Sequence, residues 1–338
     1  MTSPLTRVVR QAGGAEILDR LARLSGADLT TLLLAVMRRR AARLTPAEVF
    51  RRYREDRFTV PGEVPYAEVR AVEDRLMSLV PQGFRPVVLS PVAPLGLHSV
   101  VGPVHQDKVL STVRGNEVAA DPTNGLALVA AIERQGVGSR PGLGSRGRQG
   151  DGSRVGSGAG QGRGSGARQD VGPGAQQSVG PRTTEPVRLA AAQRVVRAQV
   201  FGPGMAAHFG LFGMVTAGRD TGDLAFEREH IVEHLRYVAA VPPVPIELRL
   251  TVWDKRYQPI ADAVRAALPH VAITDDPHRE SGREYYTGFA YSAWVNGANL
   301  ADGGFTDWTQ RLLADRKERL LTTGIGIDRL AALVGPLT

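Results

Sequence analysis

TGIGIDRL, running from Thr323 to Leu330, is where a β pattern turns directly into a helical one. Residues 318–334 therefore read as a strand feeding a helix, with Gly324 and Gly326 at the junction. The first turn of that helix carries Asp328 and Arg329, and its backbone N–H groups favour an anion. A plain Gly-capped terminal helix fits the same residues.

Upstream, 187–201 and 208–217 read as strands joined at the turn Gly202-Pro203-Gly204. Helices are expected at 224–240, at 258–267 and near 306–316, with a strand at 246–253 and a strand pair around 285–295. Residues 66–80 read as a helix through Val69, Val72, Leu76 and Leu79. Arg85–Ser90 reads as a short strand ending at Pro91, and 121–133 as a helix. Strands paired through turns predict an α+β fold, a largely antiparallel sheet flanked by helices, with a small N-terminal helical segment.

The chain has 338 residues, 42% of them hydrophobic, enough to bury a sizeable core. It has no Cys, which excludes a disulfide scaffold, a thiolate metal site and a Cys nucleophile. The longest apolar run, Leu29–Met37, is broken by two Thr and falls far short of the roughly 20 residues that span a bilayer. No apolar leader is visible at the start, so the expected location is cytoplasmic, with no membrane partner.

The net charge of +8 is uneven. Residues 1–57 hold 12 Arg against 6 acids, and 136–180 hold 6 Arg against 2 Asp, leaving the rest slightly acidic. Three parts are expected: a basic N-terminal helical segment over 1–57, a core over 58–338, and a Gly/Arg/Ser-rich insert over 136–180 within that core. The insert has 16 Gly in 45 residues and no aromatic residue, a composition that cannot bury enough surface to order itself. Its Gly142-x-Gly144-x-x-Gly147 matches a dinucleotide fingerprint in letters only, because no apolar strand leads into it.

In the N-terminal segment, Ile17, Leu18, Leu21 and Leu24 make one helical face. Asp28 is placed to cap a helix carrying Leu29, Leu32, Leu33 and Val36, and Thr45-Pro46-Ala47-Glu48 reads as a capping box. The seven Arg between Arg38 and Arg54 suit the solvated face of a small bundle, or a phosphate-tracking surface for RNA. No aromatic residues interleave with them as stacking platforms would.

Three separated segments resemble the signature motifs of class II aminoacyl-tRNA synthetases, most closely histidyl-tRNA synthetase and the related regulatory subunit of ATP phosphoribosyltransferase. GFRPVVLSP (83–91) is similar to motif 1, RVVRAQ (194–199) with HFGLFG (208–213) to motif 2, and TGIGIDRL to motif 3. The resemblance covers about 60–335 without the insert, and includes no C-terminal anticodon-binding domain. It implies ATP and Mg²⁺ as cofactors, with no protein-held metal site. Arg197 would grip the α-phosphate, Phe209 would stack under adenine and Arg329 would meet the γ-phosphate. Gln199, Gly324, Gly326 and Asp328 would complete the nucleotide site, Gln199 and Asp328 standing where the family usually has Glu. EYYTG (284–288) resembles the strand beside the amino-acid pocket, which would bring Tyr285, Tyr286, Thr287 and Gly288 to the substrate. GGFTD (303–307) keeps two Gly and Asp307 of a later family stretch. Motif 1 implies a homodimer.

The departures bear on substrate. Ser281 stands at the family's catalytic Arg, with Arg283 and Arg279 nearby as replacements. Val215 stands where a carboxylate reads the imidazole, and the family's Pro-Glu pair falls near Pro122-Thr123. Histidine would lose its acceptors here, so another amino acid is expected. The resemblance implies an adenylate-forming ligase with Arg197, Arg329 and Arg283 as catalytic residues. Its substrate would be a small carboxylate, and its acceptor a tRNA or carrier protein. The alternative is a silent paralogue regulating a phosphoribosyltransferase partner. Separately, His230-Ile231-Val232-Glu233-His234 matches an inverted zinc-peptidase pattern. With Leu224, Ile231, Leu235 and Val238 as the buried stripe, its polar residues are expected on a solvated flank.

Overall fold

The structure, a computed structural model, describes residues 3–136, 183–200 and 206–335. All but Gly136 of the expected insert, and the Gly202-Pro203-Gly204 turn, lie outside the described residues. Four helices come first, α1 (Pro4–Gln11), α2 (Glu16–Ala22), α3 (Gly26–Ala41) and α4 (Pro46–Glu55). Then follow α5 (Tyr66–Ser78), β1 (Arg85–Pro86), β2 (Val92–Pro94), β3 (Asn116–Val118), α6 (Pro122–Arg134), β4 (Val187–Val196) and β5 (His208–Arg219). The remainder is α7 (Ala225–Ala240), β6 (Glu247–Val252), α8 (Gln258–Ala267), β7 (Ala272–Asp275), β8 (Tyr286–Val295), β9 (Ala298–Thr306), α9 (Trp308–Leu313), β10 (Glu318–Gly326) and α10 (Ile327–Val334).

Eight strands form one sheet in the order β1-β4-β5-β10-β9-β8-β6-β7. Its inner pairings are antiparallel, and only the edge strands β1 and β7 pair in parallel. The expected α+β fold with a largely antiparallel sheet is thus what forms. The period of two divides each strand between two cores. Leu189, Ala191, Val215 and Ala217 meet α6 and α9, whereas Ala190, Phe212 and Met214 join the larger core under α5, α7, α8 and α10. Gly213 lets α6 approach the sheet, since a Cβ there would lie 2.9 Å from the Pro122 ring. The strand pair expected around 285–295 runs further, β8 filling that range and its antiparallel partner being β9. Its Gly303 has no room for a side chain, a Cβ falling 2.5 Å from the Thr322 carbonyl oxygen and 2.5 Å from the Tyr291 ring.

Two buried polar devices lock the sheet. Arg134 is 1% exposed and reaches Glu318, 0% exposed, through two bonds of 3.0 Å. On α7, His234 bridges Thr216 at 2.9 Å and Thr323 at 2.7 Å. Burial holds the His234 pKa well below its ordinary value, with His230 and Arg188 adding to the effect. His230 is also buried, its ring 4.5 Å from that of Phe226. The expected solvated flank is therefore corrected: two threonines on β5 and β10 give the helix polar partners inside the fold. Glu233 turns toward Arg188 at 3.5 Å. Among the described residues no group of three or more His, Asp or Glu gathers as for a metal ion.

In the N-terminal segment Thr45 and Glu48 close the capping box as expected. Ser25 caps α3 instead of Asp28, its Oγ accepting the Asp28 N–H at 3.1 Å. None of α1–α4 has a buried residue, and Leu18, Leu24, Leu32 and Val36 of the expected apolar faces stay exposed. Among the described residues no helix is long and apolar enough to cross a membrane.

Candidate functional site

The hairpin β4–β5 ends beside the junction of β10 with α10, and a cavity of about 740 Å³ opens there. Such a volume suits a small-molecule site. Of the residues singled out in the sequence, Arg197, Gln199, Phe209, Tyr285, Tyr286, Gly324, Gly326, Asp328 and Arg329 all line it. Segments more than a hundred residues apart are brought together by strand order alone.

Arg197 follows β4 directly. Its Nε donates to the Ala120 carbonyl at 2.9 Å and its Nη2 to Asp121 Oδ2 at 3.2 Å. The same Asp121 caps α6, its Oδ1 accepting the Thr123 N–H at 2.9 Å, so the helix cap also sets the guanidinium plane. The guanidinium carbon lies 5.3 Å from the centre of the Phe209 ring. A cation thus stands against an aromatic face at one wall of the cavity. Arg329 Nη1 donates to the Asn299 carbonyl at 2.6 Å. Asp328 accepts from the Gly210 N–H and stands 3.4 Å from Arg194, tying the α10 terminus to β5. At Gly324 a Cβ would find its nearest neighbour, the Asp302 carbonyl oxygen, 3.8 Å away, so space there is open.

Tyr285, Tyr286 and Asp302 also line the cavity. Tyr286 O–H donates to Asp302 Oδ1 at 2.6 Å, and Arg279 Nη2 donates to Asp302 Oδ2 at 2.6 Å. Burial pushes the Asp302 carboxyl up, against the pull of Arg279. Burial also raises both tyrosines, Asp302 adding to it.

Four residues read as part of the amino-acid site or its catalysis do not line the cavity. Val215 shares the cavity face of β5 with Phe209 and Leu211, but lies further along, where α6 covers it with Leu126 and Ala127. Arg283 is exposed and stands 3.6 Å from Glu280, because the chain reverses at Gly282 with φ +83°. Thr287 is exposed, and Gly288, at φ +74°, packs against the Tyr257 ring. Of the two arginines near Ser281, Arg279 is the buried one, and it serves Asp302.

Sequence reasoning missed Lys108, His98, Asn124 and Trp308, which also line the cavity. They carry no motif. The loop bearing His98 is organised by Glu117, 0% exposed, which accepts from the N–H of His98 at 2.8 Å, of Gly96 at 3.1 Å, and from Gln106 Nε2 at 3.1 Å. Burial alone would raise the Glu117 pKa, but these donors outweigh it and hold the carboxylate low.

No protein-family model matches the chain, and no curated protein matches it in sequence. Solved structures do match in fold. A Bacillus halodurans ATP phosphoribosyltransferase regulatory subunit/histidyl-tRNA synthetase aligns with a TM-score of 0.56 at 13% identity, covering 83% of each chain. Histidyl-tRNA synthetase from a Nostoc species aligns with a TM-score of 0.51 at 13% identity, over 82% of this chain and 74% of that one. A histidine–tRNA ligase subunit from Alicyclobacillus acidocaldarius aligns with a TM-score of 0.50 at 14% identity, over 81% and 95%. At such identities the likeness is one of fold: this chain is built on the class II synthetase core shared by histidyl-tRNA synthetases and the phosphoribosyltransferase regulatory subunit.

Proposed function

We propose that this protein binds ATP in the 740 Å³ cavity and activates a small carboxylate, an amino acid other than histidine, as its adenylate. The observation that carries the reading is the pairing of Arg197 with Phe209, beside the open glycine turn that leads to Arg329. A guanidinium fork suits a phosphate and an aromatic face suits a purine. In the proposed reaction a carboxylate oxygen attacks the α-phosphorus. The new P–O bond forms as the bond to the bridging oxygen breaks, and pyrophosphate leaves with that electron pair. Arg197 neutralises charge at the α-phosphate and Arg329 at the γ-phosphate, so the protein contributes positioning and charge stabilisation. Mg²⁺, when bound with the nucleotide, would supply further charge neutralisation at the phosphates. The acceptor class, tRNA or carrier protein, is open in this proposal, and a homodimer is its expected state.

One observation favours a second reading, a silent paralogue acting on a phosphoribosyltransferase. The cavity segment at Ser281, Gly282 and Glu284 presents no cation, and Arg283 points away. Calorimetric titration with ATP, then pyrophosphate exchange over a panel of amino acids, separates the two. Arg197→Ala is expected to weaken ATP about tenfold or more, as a charge-assisted contact worth roughly 1.5–3 kcal/mol is lost. Unchanged affinity in a folded variant would remove Arg197 from the site. ATP binding without exchange on any amino acid, with co-purification of a phosphoribosyltransferase, would favour the regulator.

A further inference from the structure

Two buried N–H groups on cavity-lining side chains have no acceptor, Nδ2 of Asn124 and Nε1 of Trp308. A chain of bonds starting on the backbone fixes the first. The Ala120 N–H can only donate, and it does so to His98 Nε2 at 3.0 Å. The ring proton therefore sits on Nδ1, which donates to Asn124 Oδ1 at 2.9 Å. That assigns the carbonyl end of the Asn124 amide and leaves its NH₂ end without a partner. His98 is 1% exposed and Asn124 3%. Gly102 keeps the NH₂ end clear, because a Cβ there would stand 2.6 Å from Nδ2. Trp308, 5% exposed, opens α9, which packs with α6, and its ring lies 6.2 Å from that of Tyr285.

A buried donor left without an acceptor is costly, and two lining one cavity point to a ligand group that completes them. Asp121 and Asp302 both act on Tyr285 and line the cavity, and each is already paired with a guanidinium, Asp121 with Arg197 at 3.2 Å and Asp302 with Arg279 at 2.6 Å. The two orphaned donors are themselves neutral amide and indole N–H groups, so the complementary group is a neutral acceptor. We propose that this end of the cavity reads a carbonyl or hydroxyl oxygen on the substrate's side chain through Asn124 Nδ2 and Trp308 Nε1, with His98 as the positioning residue. The proposal rests on the reading that an amino acid occupies the cavity beside ATP. It deepens that reading by naming the side-chain class.

The test is calorimetry on the full chain. ATP is titrated first, then three pairs of similar size: threonine and valine, asparagine and leucine, glutamine and methionine, with aspartate and glutamate as charged controls. At least one polar neutral member is expected to bind about tenfold or more tightly than its apolar mate. Asn124→Leu and Trp308→Phe should each bring that ratio to within about twofold of unity, the cost of the donors being gone. ATP titration of each variant reports whether its site still forms. As an independent readout, the ¹⁵N–¹H indole resonance lost in Trp308→Phe should shift with the polar ligand and stay with the apolar one. Equal binding within every pair, a ratio that survives in both variants, or tighter binding of a charged control overturns the proposal. ATP binding with silence from all eight amino acids overturns it while leaving the nucleotide site standing. Failure of ATP itself overturns the nucleotide reading instead, and this proposal with it.

Discussion

Gly324→Val separates the fold from the site. Gly324 sits in the middle of the sheet, paired with Gly213 on β5 and Asp302 on β9. A Cβ there meets only the Asp302 carbonyl oxygen, at an ordinary 3.8 Å, and its backbone is not in the left-handed region. A β-branched residue suits such a strand, and replacing Gly restricts the unfolded chain by about 0.4–1 kcal/mol. Unfolding free energy should therefore hold or rise slightly. The added carbons project into the cavity that ATP is proposed to occupy, so its affinity should fall at least about tenfold, or roughly 1.4 kcal/mol. Gly303→Val is the contrasting control, because its Cβ would lie 2.5 Å from the Thr322 carbonyl oxygen and should destabilise by about 1–3 kcal/mol or more. Urea unfolding and ATP calorimetry measure both quantities. Wild-type ATP affinity in a folded Gly324→Val protein would refute the placement of ATP against this turn. A stability loss above about 2 kcal/mol would refute the claim that the space is open.

Arg134→Met should cost about 3–5 kcal/mol by leaving Glu318 charged and buried, and adding Glu318→Leu should recover much of it in urea titrations; equal losses would refute the pairing. His234 takes up a proton in the unfolded chain below its ordinary pKa of about 6.5 but not in the fold, so its contribution is full above that pH and shrinks as pH falls. Unfolding curves from pH 7 to 5 should show that slope, and His234→Gln should flatten it. Val88 is fully exposed beside β1, in the segment that resembles motif 1. If a homodimer forms through it, Val88→Asp should shift the light-scattering mass at micromolar concentration toward the monomer, and a monomeric parent would remove the interface.

What was legible in the sequence is what neighbouring residues decide among themselves. The β10–α10 junction and the β4–β5 strands announce themselves by a change of period, and the Thr45–Glu48 box by a spacing of three. Ser25 was missed as a cap because Gly26 reads as a break, although it is the first helical residue. Misreadings elsewhere trace to distant partners. His234 looked solvated because Thr323, its partner, lies 89 residues on. Asp302-Gly303-Gly304 has little strand propensity, and crowding by Thr322 and Tyr291 makes glycine necessary there. Arg283 and Arg279 were indistinguishable until the reversal at Gly282 sent one outward and Asp302, 23 residues later, claimed the other. The same division runs through the site. Arg197 and Phe209 belong to one hairpin, so the wall proposed to meet a nucleotide can be read from a motif. Asn124 owes its orphaned donor to His98, and His98 owes its tautomer to a backbone N–H at Ala120. No spacing encodes that relay, because it exists only once a loop, a helix and a strand end have met. The groups proposed to read the substrate are therefore the ones sequence patterns hide, and such contacts are where a chain built on this core could change its chemistry while its motifs stay recognisable.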